Sequence, residues 1–306
     1  MDARRGRALT GLSPFHSSQR SWLPVVMTLP VVGLLVIVIL LPEIWAGVIS
    51  FTDFSLGSSF RYVGWENYRT ILTDNVFWNA VRNNLIFVAG TVGTEFLLGL
   101  GLALLLSRGF PLQRLWISLI IAPYAISPVV SVVTWKYMLQ PTMGLVNYLM
   151  SFAGLVNVRW TTDPGLAMLS VIFVEVWRSS PFMTVVLYAA VISVPTELLE
   201  AARVDGAGGL RTFWHVTLPL IRPAILVAVV FRLVFALRTF DVIWILTQGG
   251  PIRATEVLAV YLFNQGFRYW QFGLASATAW IVLVLTMLLS TYYLVFMSRT
   301  MFGSEQ

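Results

Sequence analysis

The sequence contains no cysteine, only two histidines (His16 and His215) and a single lysine, Lys136. Without thiols there is no disulfide, no thiolate metal site and no palmitoyl anchor, and two isolated histidines do not make a metal centre. A phosphate-binding loop needs Gly-Lys-Ser/Thr after a glycine-rich turn, but Lys136 follows Trp135 inside an apolar run, so this chain supplies no such loop. His-Glu-x-x-His and Gly-x-Ser-x-Gly are absent as well, and Gly99-Leu-Gly101 is a fragment within an apolar helix, suited to close helix packing. No enzyme motif remains.

Charge is scarce too. Of the 306 residues 11% are charged and 58% hydrophobic, and the mean hydropathy is +0.80; an ordinary soluble domain carries about 25% charge. The chain therefore belongs in a membrane. Its net charge of +6 comes from arginines dispersed between apolar runs, without the aromatic-interleaved basic patch that nucleic-acid binding requires.

The polar, basic residues 1–22 precede an uncharged run, Leu23 to Pro42, long enough to span a bilayer and too long for a cleavable signal core. Further runs lie near Leu85–Leu106, Leu115–Leu139, Leu166–Ile192, Ile221–Leu246 and Phe272–Met297. An all-α integral membrane protein with six transmembrane helices is expected, divided into an N-terminal segment 1–22, a membrane domain 23–298 and a tail 299–306. No polar stretch approaches the roughly 50 residues of a soluble domain.

Ten arginines fall in the connections on the side of the termini and six on the other, which by the positive-inside rule predicts cytoplasmic termini. Two connections on the outer side are rich in aromatics, Tyr62 through Trp78 and Tyr261 through Trp270. They suit interfacial segments, serving either as simple anchors or as a platform for an external protein.

Between two membrane-length runs lies a charged island, Glu200-Ala-Ala-Arg-Val-Asp-Gly206, followed by Val216-Thr-Leu-Pro219. Glu200, Arg203, Asp205 and Arg211 are too polar to span, while Ala201, Ala202, Leu210 and Phe213 offer contact surface. The pattern predicts a helix over Thr196–Val204, a turn at Gly206, and a second short helix ended by Pro219 near Leu218. An amphipathic helix lying on lipid is the competing reading, but it requires no fixed Glu-Ala-Ala to Gly spacing.

Eight ionisable residues lie within the runs: Glu43, Glu95, Lys136, Glu175, Arg178, Arg232, Arg238 and Asp241. Each costs roughly 2.5–3.5 kcal/mol at a helix centre on insertion scales, so they must pair, face the interior or reach an interface. Arg238, Asp241 and Trp244 share a three-residue spacing and read as one helical stripe of hydrogen-bonding groups beside an aromatic platform, either a sugar site or a structural ion pair. Glu175 and Arg178 repeat the spacing beside Trp177, with Pro181 expected to break that helix; Pro123 and Pro128, near Tyr124 and Ser127, interrupt another. Glu43 lies at the end of its run and Glu95 has no evident partner in the sequence.

Glu200-Ala201-Ala202, Gly206 and Leu218-Pro219 fall on the cytoplasmic signature of permease subunits of ATP-binding-cassette importers, with Val216 where that signature has isoleucine. Beyond the loop, Gly64-Trp-Glu-Asn-Tyr68, Phe77-Trp-Asn-Ala80, Trp177-Arg-Ser-Ser-Pro-Phe182, Pro195-Thr-Glu-Leu-Leu-Glu200 and Thr247-Gln-Gly-Gly-Pro251 resemble permeases of carbohydrate importers of the maltose and glycerol-phosphate type, the last being similar to the first of their two paired permeases. The large periplasmic domain of the maltose permease is missing. The resemblance implies a type I importer permease fold with a cytoplasmic coupling loop, 193–220, in a bacterial inner membrane. It implies a second homologous permease, two ATPase subunits that bind the ATP and Mg, and an extracytoplasmic solute-binding protein or lipoprotein as partners, with no cofactor in this chain.

On this reading Glu200, Ala201, Ala202, Asp205, Gly206 and Phe213 couple to the ATPase, and Arg238, Asp241, Trp244, Tyr124 and Arg178 line the substrate path. A sugar is the expected cargo. Glycerol 3-phosphate or a glycerophosphodiester, with Arg178 and Arg238 as countercharges, is the alternative, and a non-transporting membrane scaffold is a second.

Overall fold

The computed structural model describes residues 23–57 and 60–302; the expected N-terminal segment 1–22 and residues 303–306 of the tail lie outside the described residues. The chain divides into two units, Met1–Ala46 and Gly47–Gln306. The first holds α1 (Leu23–Leu35), a π turn, Val36–Leu40, and the start of α2 (Leu41–Ser50), which continues past Ala46 into the second. Apart from Thr28, the first unit's side chains from Val26 to Leu41 are apolar, and almost all are exposed, as a helix surrounded by hydrocarbon requires.

The second unit continues with α3 (Glu66–Thr73), α4 (Asn75–Leu106), α5 (Gln113–Ala125), α6 (Pro128–Met138), α7 (Leu145–Ser151), α8 (Pro164–Ile192), α9 (Thr196–Val204), α10 (Gly209–Thr212), α11 (Leu218–Leu237), α12 (Asp241–Leu246), α13 (Leu258–Phe263) and α14 (Phe272–Phe302). The two longest buried helices start at side-chain caps. Asp74 accepts from Val76 N–H at 2.8 Å to begin α4, and Asp163 accepts from Gly165 and Leu166 N–H at 2.8 and 3.1 Å to begin α8, satisfying donors that a helix start otherwise leaves orphaned.

Helices α4 and α8 pack along each other, α11 lies across both and also against α14, and α5 rests on α8. Their shared core includes Phe87, Val171, Val174, Leu237 and Ile243 toward one end, and Ala103, Met183, Leu187 and Ile221 toward the other. Polarity is inverted relative to a soluble bundle: Leu97, Val227, Met287 and Leu288 are exposed whereas Glu95, Glu175 and Arg232 are buried.

Among the described residues five helices are long and apolar enough to cross a membrane, or six if α5 and α6, bent by 95° to one another, form one broken span. The expected count holds on that basis, but several expected details do not. The run Leu115–Leu139 is interrupted as expected, at Ile126–Ser127 just before Pro128, as the restriction on residues preceding proline dictates, but Pro123 does not interrupt it and lies inside α5. Pro181 likewise does not break α8, which continues from Pro164 to Ile192 with that proline buried inside it. Tight packing holds the helix together there: a Cβ built on Gly99 of α4 would sit 2.7 Å from Met183 Cγ, two residues past the proline.

Nor does Pro219 separate the island from the next span. A π turn at Phe213–Thr217 joins α10 to α11, with Leu218 N–H bonded to Phe213 O, so helix runs from Gly209 to Leu237. The change to an i→i+5 register just before the proline absorbs the disruption it brings.

The helix also ends earlier than the sequence predicts, at Leu237 and not near Leu246, with Arg238, Thr239 and Phe240 outside it.

The aromatic connections come together at one end. Tyr261 O–H donates to Asp74 Oδ2 at 2.8 Å and its ring meets Phe77 edge-on, with centroids 5.8 Å apart. Burial, and then that hydrogen bond, push the Tyr261 phenol above its ordinary pKa, keeping it a donor. Asn83 Nδ2 grips the carbonyls of Arg253 and Glu256 at 2.9 and 3.1 Å, fastening the Gln248–Arg253 segment, where Gln248, Gly249, Ile252 and Arg253 have positive φ, onto the start of α4.

The Gly99 contact sets up a pair of substitutions. Gly99→Leu should cost about 1–3 kcal/mol by overpacking α4 against α8, and Gly101→Ala, with nothing within 4 Å of the added Cβ, should be neutral or stabilising by up to about 1 kcal/mol. Thermal unfolding of the detergent-purified protein measures both.

Candidate functional site: a capped loop helix and an intramembrane cavity

The island is built as a stopped helix. At the end of α9, Gly206 N–H bonds Arg203 O at 3.0 Å and Ala207 N–H bonds Ala202 O at 2.9 Å, with Gly206 left-handed at φ 74°. This pairing satisfies the last carbonyls of a helix only when the residue after the cap takes positive φ, which glycine alone adopts without strain. The spacing from Ala202 to Gly206 is therefore a backbone requirement of the turn. Glu200, Ala201 and Asp205 are exposed on the loop, Ala202 and Phe213 are half-buried, and the apolar Val204 and Leu210 stand 88% and 75% exposed beside them. Such exposed apolar groups rimmed by charge mark a contact surface.

Within the bundle, the buried charges form one chain of ion pairs across three helices. Arg232 of α11 places Nε 2.6 Å from Glu95 Oε2 and Nη2 2.7 Å from Glu95 Oε1 on α4, and the same Nη2 lies 3.0 Å from Glu175 Oε1 on α8. Glu175 also accepts from Arg178 Nη2 at 2.8 Å and from Ser179 Oγ at 2.8 Å. Glu95, which the sequence leaves without a partner, is fully buried in this fork. Its partner stands 137 residues away, beyond any local pattern; the only sequence signal was that a carboxylate in an apolar run must be matched somewhere.

Beside this network opens a cavity of about 610 Å³, lined by Tyr124, Phe182, Phe231, Phe235 and Phe240 and by Arg178, Arg232, Glu175, Arg238 and Asp241. Phe182 and Phe231 are stacked with centroids 4.9 Å apart, and Phe235 lies 4.6 Å from Phe231. Of the five predicted path residues, Tyr124, Arg178, Arg238 and Asp241 meet at the cavity.

Trp244 does not. The break at Arg238–Phe240 destroys the single stripe, and Trp244 instead packs against Phe240 and Phe263, with centroids 5.5 and 4.5 Å away. For the same reason Arg238, which caps α11, and Asp241, which starts α12, form no ion pair with each other although they share the cavity. Its aromatic wall comes from phenylalanines on α8 and α11 that sequence reasoning did not single out; in an apolar run they look like any lipid-facing residue.

Removing one member of a buried ion pair strands the other in low dielectric. Arg232→Met alone should cost about 3–5 kcal/mol, and adding Glu95→Leu should recover most of the loss, because Glu175 keeps Arg178. Melting curves of the two variants in detergent decide this; an unchanged single-variant curve would show that the fork does not hold the helices.

Residues 95–301 match the family model for the binding-protein-dependent transport system inner membrane component. The chain is 32% identical to the trehalose/maltose transport system permease protein MalF of Thermococcus litoralis over 88% of its own length and 91% of that protein. It is 33% identical to the sn-glycerol-3-phosphate transport system permease protein UgpA of Pectobacterium atrosepticum, over 91% and 95%. Its backbone superposes on a chain of a bacterial ABC transporter that imports the acidic polysaccharide alginate with a TM-score of 0.82 and 25% identity, covering 92% of this chain and 96% of that one. The chain belongs to the binding-protein-dependent transport inner membrane component family: it is a multi-pass permease subunit of a bacterial inner-membrane ABC importer, whose ATP hydrolysis resides in a separate subunit.

Proposed function

We propose that this permease imports a neutral sugar through the cavity between α5, α8 and α11, paired with a second homologous permease. The observation that carries this reading is the cavity wall: a run of aromatic rings suited to sugar faces beside charges that already cancel. Arg178 is taken by Glu175 and Arg232 by Glu95 and Glu175, leaving Arg238, whose charge Asp241 offsets within the same cavity. A phosphate would need free countercharge; of the two arginines expected to supply it, Arg178 is committed to Glu175 and Arg238 is offset by Asp241 in the same cavity. The glycerol 3-phosphate alternative is disfavoured on that ground, and family membership leaves the scaffold reading without support.

The arginine distribution supports cytoplasmic termini and a cytoplasmic loop at 193–220. There Glu200, Ala201, Ala202, Asp205, Gly206 and Phe213 contact the ATPase, one of a pair that binds the ATP and Mg; no cofactor is assigned to this chain. The aromatic segments joined by Tyr261 and Asp74 face outward and receive the solute-binding protein or lipoprotein. Closure of the ATPase pair on ATP displaces α9, and the bundle switches between discrete packings that open the cavity to either side.

The absence of cysteine makes orientation directly testable. A single cysteine at Val204 should resist a membrane-impermeant maleimide in intact cells and react in inverted vesicles; labelling from outside refutes the proposed orientation alone.

Function is tested by ATPase activity in proteoliposomes containing this chain, its paired permease, the ATPase and the binding protein, with trehalose, maltose, alginate oligosaccharide and glycerol 3-phosphate. Stimulation by a neutral disaccharide, lost in Gly206→Pro, is the expected result. Stimulation by glycerol 3-phosphate alone refutes the neutral cargo, and stimulation that survives Gly206→Pro refutes the role of the loop.

A further inference from the structure

A second cavity, of about 250 Å³, lies where the end of α4 meets the loop helices, lined by Leu104, Ser107, Arg108, Leu199, Arg203, Ala207, Gly209, Thr212, Phe213 and Thr217. Arg108 and Arg203 come from different elements, neither takes part in an ion pair among the described residues, and no carboxylate lines the cavity. Both arginines are exposed and add positive charge to a carboxylate-free hollow, and an anion seated in it is attracted to both. The rest of the lining mixes the hydroxyls of Ser107, Thr212 and Thr217 with the apolar Leu104, Leu199 and Phe213.

From these features we infer that the cavity binds the phosphodiester headgroup of an anionic phospholipid, clamped between Arg108 and Arg203. The position supports a lipid source. Helix α4 is one of the membrane-length helices and ends at Leu106, so Arg108 stands where the span meets water. Trp214, 57% exposed beside the cavity residue Phe213, is the residue type enriched at that boundary. Basic pockets between spans on the cytoplasmic side are suited to anionic headgroups, and that leaflet is rich in them. The volume lies just below the roughly 300 Å³ at which small-molecule pockets begin, which suits one headgroup whose acyl chains remain in the bilayer.

The consequence is specific to coupling. A headgroup held by Arg203 on α9 and Arg108 after α4 ties the ATPase-contacting helix to a transmembrane helix. The inference rests on the loop orientation proposed above, and the Val204 cysteine result separates failure of that orientation from failure of the site.

The test is native mass spectrometry of the assembled transporter, counting retained phosphatidylglycerol and phosphatidylcholine for wild type, Arg108→Gln/Arg203→Gln and Arg108→Lys/Arg203→Lys, with inorganic phosphate as competitor. Phosphatidylcholine carries the same phosphodiester beside a choline cation that cancels its charge, so two arginines should favour the net-anionic phosphatidylglycerol by about tenfold or more, with the preference lost in the glutamine variant and largely kept in the lysine variant, which controls for assembly. Equal retention of the two lipids, or a preference untouched by the glutamine variant, overturns the site. Displacement by equimolar inorganic phosphate assigns the cavity to free phosphate and overturns the lipid assignment. Loss of the ATPase subunits from the glutamine variant, with lipid counts unchanged, makes the arginines part of the ATPase contact and equally overturns it.

Discussion

Arg232 is the point on which three helices converge. Its planar fork occupies both oxygens of Glu95 on α4 while one of its nitrogens reaches Glu175 on α8, and in a low-dielectric interior none of these groups tolerates being left alone. The hydrophobic effect gives helices within a bilayer little reason to associate, since lipid is as apolar as leucine. The orientation of α4, α8 and α11 about their own axes is accordingly fixed by polar contacts and close approach. The fork supplies the first, and the seat of Gly99 against Met183 supplies the second. Well-packed apolar residues often serve stability as well as a buried ion pair does, so the network is better understood as fixing which faces meet. Those faces include the one that lines the cavity.

How much of this was legible in the sequence depends on the distance over which each feature is encoded. The loop helix Thr196–Val204 and the turn at Gly206 appear as expected because every interaction that builds them lies within a few residues: the cap bonds join Ala202 to Ala207 and Arg203 to Gly206. The pairing of Glu175 with Arg178 is likewise local. Glu95 with Arg232 was not legible, since nothing near Glu95 announces a partner on a helix that arrives much later in the chain.

The errors at proline share a single cause. The residue's local tendency to break helices was read correctly at Pro128 and wrongly at Pro123, Pro181 and Pro219, which all sit within helix; close packing at Pro181 and a π turn before Pro219 accommodate the ring. The predicted Arg238–Asp241–Trp244 stripe failed for the converse reason. An apolar run of spanning length was taken as one helix, whereas the chain leaves helical geometry at Arg238 and resumes it at Asp241. That break brings Arg238, Thr239 and Asp241 to one cavity without joining them and turns Trp244 toward Phe240 and Phe263.

Continuity from Gly209 to Leu237 has the largest consequence for function. Phe213 stands on the loop, and Phe231, Arg232 and Phe235 stand at the cavity, all on one helical rod. At about 1.5 Å per residue, Phe213 and Arg232 are separated by roughly 29 Å along its axis. A displacement imposed on the loop therefore need not pass through a succession of side chains; the helix carries it as a body, with the π turn at Phe213–Thr217 as the one place where its register is irregular. At the far end the same rod bears the fork that holds α4 and α8. Tilting it changes the cavity wall and loads the ion-pair chain together, because Phe231 and Arg232 are adjacent in sequence and cannot move apart.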